Sequence, residues 1–470
     1  MRIKRIAGTI VFCAVFLILL NRIYTVLSWK DTAGEYYSSV DSFYEVDKGL
    51  VDVLFFGSSH CYCSIDPSVL WEEHGIGSFS LAISGQDFAG TYYTLKEALK
   101  TQDPKVVCVE LYGSLFHGYQ VEGNLYRNTL PFKMSANSFQ MVDDLVEKED
   151  QKEAFWMRWP IFHTRYREVK KEDFQTDRPV YLGYYADYTT NPINDIVVYE
   201  DNGIKPMEQE CETWLRRIIE LAQEKGIQLC FFVAPFVATE SDQQQLRYAE
   251  AIAGEHQIPV LNMVEMMDEL KLDTARDFHD WAHTNHFGAQ KISNYMGDYL
   301  AEHYDLADHR GDERYALWEE NSRVREHEEQ NRQLKLNLNV GGYLDYLSCI
   351  RDYVVVVSTA GDHLAKDVDI SGYLETAGIG EEFYAQGGIW ILEDRELVYK
   401  TGEADGLYNM NLADSNLLVS RADGVNAVIV DKVHYQTVED GINILVYDKV
   451  LEKVVDWVGF SAPHNYGIAR

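Results

Sequence analysis

VDVLFFGSSHCYCSIDPSVL, residues 51–70, decides how the chain is read. The run VLFF is unbroken, apolar and aromatic, the mark of a buried strand. Gly57 ends it, and Ser58, Ser59 and His60 form a turn leading into a helix. A serine at the C-terminal end of a parallel strand projects its hydroxyl into the crevice where α/β sheets hold ligands. The same turn leaves backbone N–H groups free to stabilise an oxyanion. Ser59 is therefore the candidate nucleophile.

Outward from this turn, residues 50–305 alternate strand and helix patterns, as in an α/β domain with a mainly parallel sheet. SFSLAIS, KVVCVELYG, IQLCFFVAP and IPVLNM read as further strands, with helical periodicity in MEQECETWLRRIIELAQEKG and QQQLRYAEAIAGEH. Residues 114–200 break the alternation and are rich in aromatics, as expected of an insertion that covers or shapes a site. Near the far end, DWAHTNHFGAQK carries Asp280 and His283 three residues apart, ahead of an amphipathic helix. A serine needs a base to take its proton, and the base needs a carboxylate to fix its tautomer. His60 lies too close to Ser59 along the chain to serve, whereas His279 and His286 flank the motif and are expected to shape the pocket.

Together, FGSSHCYCSIDPSVL and DWAHTNHFGAQK resemble the SGNH (GDSL-type) hydrolase superfamily over about residues 50–305. The similarity is to its membrane-anchored branch, which includes D-alanyl-lipoteichoic-acid transfer proteins and O-acyltransferases and esterases of wall and exopolysaccharide. The resemblance implies a three-layer α/β/α fold and a catalytic set of Ser59, Asp280 and His283. The family's second block falls on Ile83-Ser84-Gly85, which implies Gly85 N–H and Ser59 N–H as oxyanion donors. Its third block departs: where the family often has G-x-N-D, this chain has Glu110, Leu111, Tyr112 and Gly113, and no Asn.

Residues 1–30 set the expected compartment. Arg2, Lys4 and Arg5 precede an apolar run from Ile6 to Leu20 that resumes from Ile23 to Trp29. This is long enough to cross a bilayer, and no small-residue cleavage site follows it. An uncleaved signal anchor is expected rather than a removed signal peptide, making a single-pass protein of the cell membrane. The positive flank would then leave the bulk of the chain extracytoplasmic. With 42 Lys+Arg against 75 Asp+Glu, the net charge of −33 argues against nucleic acid as a partner. The seven cysteines show no metal-type spacing, and neither a metal nor a cofactor is expected.

Residues 31–307 are thus expected to form the hydrolase-like domain. A charged helical spacer should follow at 308–338, and a β-rich domain at 339–470. Within 350–462, DYVVVVSTAGDHL, DISGYLETAGI and GINILVYDKVLEKVVDWVGFS resemble the interleukin-like epithelial–mesenchymal-transition-inducer (PANDER-like) domain, which implies a β-sandwich and suggests sugar binding. His163 and Arg165, set among aromatics in the insertion, are candidate contacts for an anionic substrate group. The resulting expectation is a serine esterase or O-acyltransferase acting on acyl groups of a cell-envelope glycan or teichoic-acid-like polymer, with a membrane-bound acyl-donor protein as partner. The competing reading is a catalytically inactive surface protein that binds polysaccharide.

Overall fold

Short strands made wholly of apolar residues must be covered on both faces, and a parallel sheet between helix layers meets that demand. The computed structural model describes residues 2–28, 39–116, 122–169, 171–174, 182–199, 203–401 and 405–470. It divides into two units, Met1–Ser322 and Arg323–Arg470. In the first, β1 (Val53–Phe56), β2 (Ser78–Ser80), β3 (Val106–Glu110), β4 (Gln228–Val233) and β5 (Val260–Asn262) lie in the order β2-β1-β3-β4-β5. Every pairing is parallel, with Val53 opposite Ser78 on one side and Val106 on the other. Strand order therefore reverses at β1, which opens a crevice at its C-terminal end.

Alternate residues of each strand enter different cores. Leu54, Phe56, Val107 and Val109 pack with Leu215, Ile218 and Leu246 of the helices Gln209–Lys225 and Glu240–Glu255. Val53, Phe55, Val106 and Cys108 pack instead with Leu70, Ile292 and Met296 of the helices Pro67–His74 and His286–His303. The expected insertion is part of the first core, since Phe132, Met141, Phe155 and Phe162 join it. Residues 117–121, 170, 175–181 and 200 of that insertion lie outside the described residues.

The N-terminal helix Arg2–Leu27 contains a span, Gly8–Leu27, with mean hydropathy 2.3 that is long and apolar enough to cross a membrane. Residues 1, 29 and 30 of the expected anchor lie outside the described residues. Most of the helix's apolar side chains are exposed. Its last turn is not: Leu27 is buried, and Tyr24 meets Phe162 edge-on at 5.7 Å.

The second unit is antiparallel and β-rich. Its six-stranded sheet runs β15-β14-β13-β6-β7-β8 and its four-stranded sheet β12-β11-β10-β9. These strands are β6 (Tyr353–Ala360), β7 (Ile389–Glu393), β8 (Glu396–Lys400), β9 (Gly406–Leu412), β10 (Ser415–Ala422), β11 (Val425–Val430), β12 (Val433–His434), β13 (Gly441–Asp448), β14 (Lys453–Ser461) and β15 (Gly467–Ala469). The continuous valine run of β6 is explained by burial on both sides. Val355 and Val357 pack with Leu344, Leu374 and Phe383 from three short helices. Val354 and Val356 pack with Leu417, Val419 and Val428 of the other sheet.

One expectation fails. The charged stretch at 308–338 is not a solvated spacer, because its helix Ala316–Leu336 buries several side chains. Within the first unit, Trp318 is fully buried and its indole N–H donates to Ser78 O at 2.9 Å. Within the second, buried Asp448 accepts from Asn331 Nδ2 at 2.7 Å and from His327 Nδ1 at 3.1 Å, while Leu334 enters the core. The buried positions of the second half are mainly polar, so the hydropathy pattern conceals them. Trp318→Ala should destabilise the first unit by about 3–5 kcal/mol, the usual cost of emptying a buried aromatic site. Denaturant unfolding of the detergent-solubilised chain measures this, and a loss under about 1 kcal/mol would restore the spacer reading.

Candidate active site

The turn that carries Ser59 is shaped by what stands behind it. Gly57 has φ +150°, and a Cβ there would lie 2.6 Å from Glu110 Cβ, so only glycine fits. Ser58 Oγ accepts from His60 N–H at 3.4 Å and caps the short helix Ser59–Tyr62. Ile83 N–H donates to Gly57 O at 3.0 Å, which ties the turn after β2 to the turn after β1. Gly85 follows at φ +64°, the left-handed region that favours glycine. Among the described residues, neither Ser59 N–H nor Gly85 N–H is engaged by a protein acceptor.

The partner loop is held from several directions. A bridge between Phe278 and Thr284 closes it, and Asn285 caps the next helix through Phe287 and Gly288 N–H. Asn285 Nδ2 also donates to Arg276 O at 2.7 Å and Thr189 O at 3.0 Å. Thr284 Oγ1 donates to Cys63 O at 3.2 Å, linking this loop directly to the end of the helix Ser59–Tyr62.

These constraints bring together Ser59, Asp280 and His283, residues that the sequence reading singled out. His283 Nε2 lies 2.7 Å from Ser59 Oγ, and His283 Nδ1 lies 3.0 and 3.1 Å from the two Asp280 oxygens. Carboxylate acceptors at Nδ1 assign the proton to that nitrogen, leaving the Nε2 lone pair to accept from the serine hydroxyl. Burial pushes the Asp280 carboxyl up. Hydrogen bonds from His283 and Ala282 N–H outweigh it and hold the carboxyl at about 2, so it is ionised throughout the neutral range. This relay can deprotonate a serine that attacks an ester carbonyl.

The competing histidines are otherwise engaged. His60 stacks on Tyr112 at 3.7 Å and meets Phe236 edge-on. Burial, then the nearby His283, lowers the His60 pKa well below the usual range, so it is neutral packing. His279 lies between two carboxylates, with Nδ1 3.1 Å from Asp187 Oδ2 and Nε2 4.0 Å from Asp280 Oδ2, and His286 Nδ1 lies 3.2 Å from Tyr184 Oη.

His163 and Arg165, the expected substrate contacts, are committed elsewhere. Arg165 donates to the carbonyls of Leu27 (3.1 Å) and Ser28 at the end of the N-terminal helix, and pairs with Asp173 at 3.0 Å. His163 is exposed, and its Nδ1–H donates to Pro160 O at 2.7 Å. The physical reason is the helix terminus, whose last carbonyls lack intrahelical partners and attract a cation. Residues 182–199, the end of the insertion expected to cover or shape a site, lie beside this one, though the sequence reading named no residue among them. Tyr185 N–H donates to Tyr62 O at 3.0 Å and Asn191 N–H to Phe278 O at 3.0 Å. The aromatic density of GYYADYTTN is part of the signal that marked the insertion.

No known family model matches this chain, and no curated protein matches it. Among solved structures, a Bacteroides fragilis protein provisionally described as an acylhydrolase is similar at 11% identity and a TM-score of 0.30. The match covers 58% of this chain and 99% of that one.

Two outcomes follow from this geometry. Arg165→Ala should lower the thermal midpoint of the full chain yet leave any hydrolysis of a small ester within about twofold, because the bonds it loses tie down a helix end and touch none of Ser59, Asp280 or His283. A tenfold rise in KM with an unchanged melt would instead return Arg165 to the substrate. Burial raises the Glu110 carboxyl to about 8, against hydrogen bonds from Tyr112 and Ala234 N–H. Its neutral form is favoured on folding, so this stabilisation is complete below the unfolded value of about 4.3 and is lost as pH rises to about 8. Glu110→Gln should gain stability over wild type progressively across that window and hold the gain above it. Urea midpoints from pH 5 to 9 test this, and a pH-independent difference would contradict it.

Proposed function

We propose that this chain is a membrane-anchored, extracytoplasmic serine acyl-ester hydrolase or O-acyltransferase of the SGNH type. Its substrate would be an O-acyl group on a cell-envelope polysaccharide. The observation that carries the reading is the 2.7 Å contact of Ser59 Oγ with His283 Nε2, backed by the Asp280 carboxylate. In the first step Ser59 Oγ bonds to the acyl carbon, its proton passes to Nε2, and the carbonyl π pair moves onto oxygen. Collapse re-forms the carbonyl, breaks the bond to the leaving alcohol and returns the proton to that alcohol's oxygen. Water or a sugar hydroxyl then attacks the acyl-enzyme with the same proton relay.

Two features support a glycan substrate. Trp281, between Asp280 and Ala282, is 57% exposed, a large aromatic face beside the reacting groups. The PANDER-like resemblance of the second unit suggests carbohydrate binding there. An apolar helix of spanning length would hold the enzyme beside envelope polymers and a membrane-bound acyl donor. The competing polysaccharide-binding reading draws on one feature, the lack of an Asn after β3.

The test uses the detergent-solubilised full chain and p-nitrophenyl acetate. Ser59→Ala and His283→Ala should each lower turnover by roughly 10³-fold or more, and Asp280→Ala by somewhat less. The double variant Ser59→Ala/His283→Ala should be no worse than either single one, because both disable one proton relay. Wild type that is inert, with Ser59 unlabelled by a fluorophosphonate, would favour the binding reading.

A further inference from the structure

Among the described residues, Ser59 N–H and Gly85 N–H have no protein acceptor, and the segment VELYGSLF at and after β3 carries no Asn side chain to join them. Glu110 turns its carboxyl to Tyr112 N–H at 2.9 Å, and the Tyr112 ring lies flat on His60. Both positions are thus occupied by packing.

Another element reaches Gly85. The helix Glu122–Thr129 crosses the turn after β2 with Asn124 and Asn128, one helical turn apart, against it. A Cβ on Gly85 would lie 2.3 Å from Asn124 Nδ2, and one on Gly90 would lie 3.1 Å from Asn128 Oδ1. Gly85 therefore leaves space that the Asn124 carboxamide fills. Asn128 is fully buried and donates from Nδ2 to Asn124 O at 2.9 Å, which locks this face of the helix. The orientation of the Asn124 amide is set by chemistry. Arg127 Nη1 can only donate, and it lies 3.1 Å from Asn124 Oδ1. That leaves Nδ2 as the outward group, and among the described residues it has no hydrogen-bond partner.

We propose that Asn124 Nδ2 is the third oxyanion donor, supplied by the insertion in place of a residue after β3. The inference rests on the acyl-transfer reading above. When the carbonyl π pair moves onto oxygen, that oxygen receives N–H from Ser59, Gly85 and Asn124. The three bonds strengthen as charge develops and relax when the pair returns to the carbonyl and the alcohol leaves. Arg127 acts as a positioning residue through Oδ1.

Steady-state kinetics on the full chain with p-nitrophenyl acetate test the assignment, together with inhibition by an aryl trifluoromethyl ketone, whose adduct carries an oxyanion. Asn124→Ala should lower kcat by about 10²–10³-fold with KM within about twofold, the range for loss of one such donor. Ketone affinity should fall with kcat. Asn124→Asp, equal in shape but with a charge that repels the oxyanion, should fall at least as far. Its thermal melt checks folding independently of the alanine variant. If wild type turns over and a folded Asn124 variant keeps kcat within threefold, this inference is overturned and the acyl-transfer reading stands. If kcat falls but ketone affinity does not, Asn124 only braces the turn at Gly85 and the inference is again overturned. If wild type is inert and Ser59 is unlabelled by fluorophosphonate, the acyl-transfer reading falls and takes this inference with it.

Discussion

The hydrogen bond between Ser59 and His283 joins residues 224 positions apart, and the first unit is organised around making it possible. A contact of 2.7 Å between distant segments needs both ends held on rigid elements. The parallel sheet supplies one end, because β1 is buried between β2 and β3 and can deliver Ser59 to only one place. The helix His286–His303 supplies the other. It packs against the helix Pro67–His74 through Leu70, Ile292 and Met296, and Asp66 N–H donates to Ser293 Oγ at 2.8 Å. The loop carrying His283 ends at this helix's capped N-terminus, so it inherits that position.

Around the relay, burial sorts the ionisable groups into different tasks. Asp280 stays charged because His283 and a backbone N–H stabilise the carboxylate more than partial burial opposes it. Glu110 lies behind the same turn with no cation paired to it among the described residues, and burial keeps it neutral well above the usual carboxyl range. His60, a few ångströms from His283, is kept neutral by the same means. Several imidazoles and carboxyls thus share one neighbourhood, and among them His283 lies within hydrogen-bond distance of both Ser59 Oγ and Asp280.

The insertion shows how a segment without clear periodicity can still be structural. It contributes Phe132, Met141, Phe155 and Phe162 to the main core and brings Asn124 against Gly85. Its Arg165 gathers the last carbonyls of the N-terminal helix. The helix Ala316–Leu336 follows a similar logic with polar groups. Asp448, buried with His327 and Asn331 as donors, satisfies its lone pairs inside the second unit without needing an apolar stripe to announce it.

Local chemistry made part of this legible from the sequence alone. An apolar run ended by Gly57, a D-x-x-H step and a spanning-length apolar helix are short-range patterns, each imposed by the backbone or by solvent at that point. They sufficed for the parallel sheet and the β-rich second half, and they singled out Ser59, Asp280 and His283, which the structure brings together. What the tertiary structure alone decided are matters of long-range satisfaction: that Arg165 ties down a helix end, that a charged helix hides Trp318 and His327, and that Asn124 fills the space beside Gly85. A side chain's type states which bonds it can make. Which partner lies within 3 Å depends on how segments far apart in the chain pack, because burial leaves each polar group obliged to bond whatever the fold brings beside it.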